Sequence, residues 1–371
     1  MTINKFRNKK LLIASLVCAL SYVGTSQAIV QGEPGEAWLV PYVLFDSVNQ
    51  VNTLIGITIP NTLGTDPNQV ERGGVSFPLS GFTTAGQESS TDCDLVGAPN
   101  NTGETGSISW WFFDATGNIQ HEDTMPTGCD NFVALDWGSK VRTSGIGALD
   151  GMRGFLVIGN TSATFGSFDP QFGIYADTML IRGNWESAAY IPGLPMTNQG
   201  NTPPLLQGVR EIVYTGGQPT SFSPLTSGMA LDNDDGAIND TVRFDMRYFL
   251  DPSLNASTEL VVWLDKNCRG GADGCDRRSV PVNTFDTNRN SLAGQLDLGK
   301  MLNVIDPTTL ARPSNATSGF VRVAMPETSD SNAAENQGPD HAGVAFSLMR
   351  FSTAGNAQQV QTILGHERGV K

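Results

Sequence analysis

Tyr42-Val-Leu-Phe-Asp-Ser-Val-Asn-Gln-Val-Asn-Thr-Leu-Ile-Gly-Ile-Thr-Ile-Pro-Asn61 returns, 206 residues later, as Tyr248-Phe-Leu-Asp-Pro-Ser-Leu-Asn-Ala-Ser-Thr-Glu-Leu-Val-Val-Trp-Leu-Asp-Lys-Asn267. Each copy reads as an apolar run, a polar turn, a second apolar run and a closing asparagine. Tyr42/Tyr248, Leu44/Leu250, Ser47/Ser253, Asn49/Asn255, Leu54/Leu260 and Asn61/Asn267 are identical, and Val48/Leu254 and Ile55/Val261 keep their character. β-branched and aromatic runs bounded by Asp, Ser and Asn predict strand, turn, strand.

Further along, Gly154-Phe-Leu-Val-Ile158 resembles Gly319-Phe-Val-Arg-Val323, and Gly173 to Arg182 resembles Gly343 to Arg350, in the same order. The ordered recurrence reads as an internal duplication. Convergent patterning is the competing account, since any two amphipathic hairpins look somewhat alike.

Working outward, further short strands are expected at Trp38–Phe45, Asn52–Ile59, Ser107–Phe113, Phe155–Ile158, Thr178–Ile181, Thr241–Leu250, Glu259–Leu264, Phe320–Ala324 and Val344–Phe351. Short helices are expected only at Asp297–Val304 and Gln358–Leu364. Many short strands without long helical stripes predict an all-β chain. The expectation is two related antiparallel β-sandwich-like units in tandem: a signal peptide over 1–28, a first β unit over 29–191, a linker over 192–224 and a second β unit over 225–371. One strand, Val209–Tyr214, is expected within the linker.

At 371 residues the chain has room for two domains, at about 100–200 residues each. Lys plus Arg total 23 against 37 Asp plus Glu, a formal charge of −14. That balance argues against nucleic acid, whose phosphates need clustered Lys and Arg. Three separated histidines, His121, His341 and His366, leave no basis for a multi-His metal centre.

Residues 1–28 read as a secretory leader. Lys5, Arg7, Lys9 and Lys10 precede the apolar run Leu11–Leu20, and Ser26-Gln27-Ala28 offers the small residues of a cleavage site. The run is shorter than the ~20 residues of a membrane span, and Val17 before Cys18 argues against a lipoprotein signal. Cleavage removes four positive and no negative charges, taking −14 to −18. The expected location is therefore exported: periplasm, cell surface or outside, with no membrane span after cleavage.

Four cysteines remain, Cys93, Cys129, Cys268 and Cys275. In an oxidising compartment an even count reads as two disulfides. Proximity suggests Cys93–Cys129 and Cys268–Cys275, the second closing a small Gly-rich loop.

Two acidic groups are candidate cation sites. Asp232, Asn233, Asp234, Asp235, Asn239 and Asp240 surround Gly236, and calcium takes six to eight such oxygens. In an EF-hand register, however, the first position is Leu231 and the twelfth is Val242, so two expected ligands are missing. A solvated turn before a strand is the plainer reading, and calcium is the one candidate cofactor. The second group, Asp265, Asp273 and Asp276, sits among Arg269, Arg277 and Arg278, where surface pairing explains it.

Trp110-Trp-Phe-Phe113 is the densest aromatic run. In a strand Trp110 and Phe112 share one face, and Trp111 and Phe113 the other. One pair fills a core. The other, Trp111 and Phe113, is either buried against a further layer or exposed as a platform for a sugar ring.

Gly-x-Ser-x-Gly, His-Glu-x-x-His, P-loop and dinucleotide signatures are missing from the sequence. Two carboxylates across a cleft would suffice for glycoside hydrolysis, but 37 acidic residues give no means of choosing a pair.

Val40-Pro-Tyr-Val, Thr53-Leu-Ile-Gly-Ile-Thr-Ile59 and Asn255-Ala-Ser-Thr-Glu-Leu-Val-Val-Trp263 resemble segments of a loose group of exported β-rich proteins of Gram-negative bacteria. The resemblance implies an exported β protein and brings no catalytic residue. The sequence thus leads to a non-catalytic exported structural or interaction protein of the cell envelope or exterior. Its expected partners are other envelope or extracellular proteins, or glycan. A carbohydrate-binding module with a calcium-assisted loop is the first alternative, and a secreted two-carboxylate hydrolase the second.

Overall fold

The computed structural model describes residues 37–59, 70–72, 75–77, 106–127, 131–159, 174–183, 185–198, 211–215, 218–223, 242–264, 279–325, 343–351, 359–364 and 366–368. Residues 1–28, expected to be a leader, the cysteines and both candidate cation loops lie outside them.

The described chain is all-β. Its first half runs β1 (Ala37–Leu44), β2 (Val51–Ile59), β3 (Val70–Arg72), β4 (Val75–Phe77), β5 (Gly106–Asp114), β6 (Ile119–Thr127) and β7 (Asn131–Asp136). The short helix α1 (Trp137–Thr143) follows, then β8 (Arg153–Gly159), β9 (Tyr175–Arg182), β10 (Ser187–Ile191), β11 (Leu194–Asn198), β12 (Glu211–Thr215) and β13 (Gln218–Ser223). The second half runs β14 (Val242–Phe249), β15 (Ser257–Leu264), β16 (Ser279–Asp286), β17 (Ser291–Asp297), β18 (Leu302–Ile305), β19 (Ser318–Met325), β20 (Gly343–Phe351), β21 (Gln359–Leu364) and β22 (His366–Arg368).

Neither expected helix forms among the described residues. Gln359–Leu364 pairs antiparallel with β20, and the 297–304 stretch divides between the end of β17 and the start of β18, which pairs with β15. Available edge partners override a weak local helical pattern. The segment after Pro192 carries three strands, β11 to β13, which extend the edge of the β1 sheet; β11–β12 is parallel, against the antiparallel rule elsewhere.

Four main sheets form. Sheet I has order β13-β12-β11-β1-β8-β5-β6, sheet II β10-β9-β2-β7, sheet III β17-β16-β19-β14-β22 and sheet IV β18-β15-β20-β21. Sheet III repeats the β11-β1-β8-β5-β6 order of sheet I strand for strand, and sheet IV repeats sheet II.

Side-chain alternation fixes how the sheets stack. Leu260, Val262, Leu264 and Ala345 of sheet IV share a core with Phe244, Met246, Val321 and Val323 of sheet III. Val261, Trp263, Val344 and Phe346, on the other face of sheet IV, belong to the core of the first half. Sheet I is likewise covered on both sides, β1 being buried along its whole length. The layers therefore run II, I, IV, III, with I and IV in the middle.

The repetition extends to the turns. Thr53 Oγ1 donates to the Leu44 carbonyl (2.9 Å) and accepts from the Leu44 amide (3.0 Å). Thr258 makes the same pair of bonds with Phe249, at 2.8 and 2.9 Å. Asp46 and Asp251 accept turn amides from Val48 and Ser253, and Gln50 and Asn255 both adopt positive φ (53° and 45°). Asp114 and Asp286 each cap the next hairpin, accepting amides two and four residues on, from Thr116 and Asn118 and from Asn288 and Asn290.

These bonds equate residues 205 apart, one fewer than the sequence identities. Val43 pairs with Gly154 as Tyr248 pairs with Gly319. A bulge between Val40 and Val43 accounts for the extra residue, and ahead of it the spacing returns to 206. Because side chains alternate, the slip matters. Tyr42 and Tyr248 look equivalent in sequence yet occupy opposite faces of their corresponding sheets.

Candidate functional site

Trp111 and Phe113 are not an exposed platform. Trp111 is 3% exposed and Phe113 0%, because their face of sheet I is the one sheet IV covers. Phe113 stacks on Phe155 with centroids 4.7 Å apart and planes at 1°, and Trp263 of the second half meets Phe155 edge to face at 5.7 Å. Trp110 and Phe112 fill the opposite side against Trp137 of α1. Both faces of the run are core.

The remaining sequence candidates are more quickly placed. Asp232, Asn233, Asp234, Asp235, Asn239 and Asp240, and Cys93, Cys129, Cys268 and Cys275, lie outside the described residues, as do Asp265, Asp273, Asp276 and His341. His121 packs its ring 5.3 Å from that of Trp110. Beside it, Glu122 accepts from Gln218 and Asp123 from Lys140, so both acids have structural partners. Among the described residues no group of three His, Cys, Asp or Glu could hold a metal ion, and no helix is long and apolar enough to cross a membrane.

Three other features mark the surface. The first is a charged rim where sheets I and IV meet. Glu259 is gripped by Arg153 of the first half (2.7 Å) and Arg350 of the second (2.9 Å), one on each carboxylate oxygen. Burial, then the charge of Glu259, pushes the neighbouring Tyr42 phenol up to about 12, so it stays neutral. Burial and Arg350 pull Arg182 down. With both carboxylate oxygens engaged by guanidinium groups, Glu259 joins the halves.

The second feature is the outer face of sheet II. Phe132 on β7 is 64% exposed and Met179 on β9 45%; between them on β2 lie Leu54, Gly56 and Thr58, cross-strand neighbours that share the face. The Phe132 ring lies across Gly56, where a Cβ would meet its Cε2 at 2.8 Å. Tyr190 on β10 sits opposite Met179, its phenol pushed up by burial and by Asp177. At one end of this sheet, exposed Val48 and Trp185 stand in the β1–β2 and β9–β10 turns, Trp185 with a φ of 76° that bulky residues rarely adopt. The sequence reading passed over all of these. An exposed Phe or Met in a strand looks the same as a buried one until the neighbouring layer is known.

The third is the outer face of sheet III. Phe285 and Phe320 stack at 4.4 Å with planes 10° apart, and the Arg322 guanidinium lies 5.3 and 5.7 Å from the two rings. Arg322 is held by a two-pronged pair with Asp245 at 2.7 and 2.8 Å.

No protein-family model and no curated protein matches the chain. Among solved structures, the apo form of the Pleurotus ostreatus lectin aligns over 92% of this chain and 86% of its own, at 10% identity and a TM-score of 0.17. Overlap that slight carries no argument.

The strand equivalences relate the second and third features to the buried seam. Phe285 and Phe320 of sheet III correspond to Phe113 and Phe155 of sheet I, since Gly154 faces Asp114 as Gly319 faces Asp286. The same ring stack is made twice. In the first half it is roofed by Trp263, and in the second, where Phe285 and Phe320 are half-buried, no sheet among the described residues covers it.

Proposed function

We propose that this chain is a non-catalytic exported protein that works by face-to-face contact at the cell envelope or beyond it. The observation that carries the reading is the outer face of sheet II, where Phe132 and Met179 stand exposed, with Trp185 and Val48 at its end. Apolar side chains gathered on one face mark a contact surface more often than a chemical site. Glu259, held between two guanidinium groups, joins the halves. Export is the reading of residues 1–28.

The test compares wild type with a Phe132→Ser/Met179→Ser chain, both expressed with the leader. The reading expects both to be exported and to melt alike, with the variant lost from the envelope or assembled fraction into the soluble one. Equal partition of the two chains overturns the contact role of this face.

One observation favours glycan as a second reading. The Phe285–Phe320 stack beside the Arg322–Asp245 pair offers a flat apolar surface next to fixed polar groups, a combination suited to a sugar ring. A glycan array separates the readings: binding abolished by Phe320→Ala supports it, and silence with wild type removes it.

A further inference from the structure

We propose that the partner of the sheet II face is the sheet III face of a second copy of this chain, so that copies stack head to tail. The inference deepens the contact reading above and rests on it. Within one chain, sheet I of the first half packs on sheet IV of the second. Sheet III is the counterpart of sheet I, and sheet II the counterpart of sheet IV. The two outermost faces are thus the two halves of an interface that the molecule has already made once, internally. Bringing sheet III of one copy onto sheet II of the next repeats that contact.

The side chains agree with this. In the internal seam Tyr42 of β1 meets Phe346 of β20, centroids 6.5 Å apart at 87°. Counted from the shared Thr turn, the counterpart of Tyr42 is Arg247. The counterpart of Phe346 is Asp177, because Gly56 faces Asp177 as Val261 faces Phe346. Arg247 and Asp177 are both exposed. An aromatic pair inside the chain is therefore replaced, at the corresponding place between chains, by a pair of opposite charge. The Phe285–Phe320 stack falls where Phe113–Phe155 lies internally, and Phe132 occupies the β7 place that corresponds to buried Leu302 on β18. Such an interface joins two different faces, so it forms rings if its rotation closes and filaments if it does not. It combines the apolar contacts of Phe132 and of the Phe285–Phe320 stack with the Arg247–Asp177 charge pair.

The experiment uses the mature chain, residues 29–371, in sedimentation velocity over a concentration series at about 0.15 M salt, where the Debye length is ~8 Å, with electron microscopy of the same samples. Wild type is expected to gain mass with concentration. Arg247→Glu and Asp177→Lys, each alone, set like charges against each other at the joint and are expected to remain monomers with unchanged thermal unfolding. Mixed in equal amounts, the two variants restore opposite charges at every joint and reassemble. A wild type that stays monomeric throughout overturns the proposal, as does undiminished assembly of both single variants or failure of the mixture to recover. If monomeric wild type still partitions to the envelope through Phe132 and Met179, the contact reading survives and only the self-partner is lost.

Discussion

The Trp263 indole of the second half stands edge-on against the Phe155 ring of the first, centroids 5.7 Å apart and planes at 76°. Both rings are fully buried. This contact, with Tyr42 on Phe346, places residues of both halves in one core, so the halves are expected to unfold together. Trp263→Ala leaves a cavity in the shared core, and large aromatic truncations cost about 3–5 kcal/mol. Urea unfolding should show one transition, moved to lower urea, with the unfolding free energy reduced by that amount. Two separate transitions in wild type would mean that the halves fold independently.

Thr53 and Thr258 each tie a strand end to its neighbour with two hydrogen bonds. Valine has nearly the same shape but strands an amide and a carbonyl, so Thr53→Val and Thr258→Val should each lose about 1–3 kcal/mol. They share no partner, so the double variant should lose the sum to within about half a kcal/mol. Denaturant melts of the three variants check both statements.

Glu259 holds Arg153 and Arg350 together across the seam. The Arg350 side chain is 20% exposed and that of Arg153 46%, so water screens the second pair more. Arg350→Gln is expected to cost about 1–2 kcal/mol and Arg153→Gln less than about 1 kcal/mol. Equal losses would place both pairs in similar surroundings.

Acid should weaken the fold through its turn aspartates. Hydrogen bonds from Asn49 lower Asp46, those from Ser253 lower Asp251, and those from Asn290 lower Asp286. Burial raises Asp114, but bonds from Thr116 and Asn118 outweigh it and leave it lowered. Depressed carboxylates contribute stability above the ordinary Asp value of about 3.9, and that contribution disappears as pH falls through the lower folded values. Melting temperature should therefore hold steady from neutrality to about pH 5 and fall increasingly below it. An Asp114→Asn/Asp286→Asn chain should melt lower at pH 7 and lose less on acidification. A drop as steep as that of wild type would assign acid lability to other groups.

The Gly154 and Gly319 positions are equally demanding, because a Cβ there would overlap the Phe113 and Phe285 carbonyls on the adjacent strands. Gly154→Ala and Gly319→Ala should each broaden and lower the thermal transition, and an unaffected melt would show that the sheets give way easily.

Much of the fold was legible because strand alternation and Asp/Asn/Gly turns are local signals. A polar turn between two strands could be read in both copies, but the Thr53 and Thr258 bonds that close it could not. The register was legible only to within one residue: Tyr42/Tyr248 is an identity of letters, and the bulge that separates the two positions leaves no local mark. The helical reading of Gln358–Leu364 failed because its partner, β20, is supplied by tertiary structure. The candidate surface was hardly legible at all. Trp111 and Phe113 could be read as core or as platform, and Phe132, Met179 and Trp185 looked ordinary. Exposure depends on which sheet covers which, and that is decided by packing between segments more than a hundred residues apart.

Layer order is the claim on which the rest depends, and hydroxyl-radical footprinting of a dilute chain of residues 29–371, read by mass spectrometry, tests it most directly. Trp185, Phe132 and Met179 should oxidise quickly, while Trp111, Phe113, Phe155 and Trp263 remain protected until the chain unfolds. Oxidation of Trp111 and Trp263 at the rate of Trp185 would contradict the burial of sheet I beneath sheet IV, and with it the pairing of faces proposed for the assembled protein.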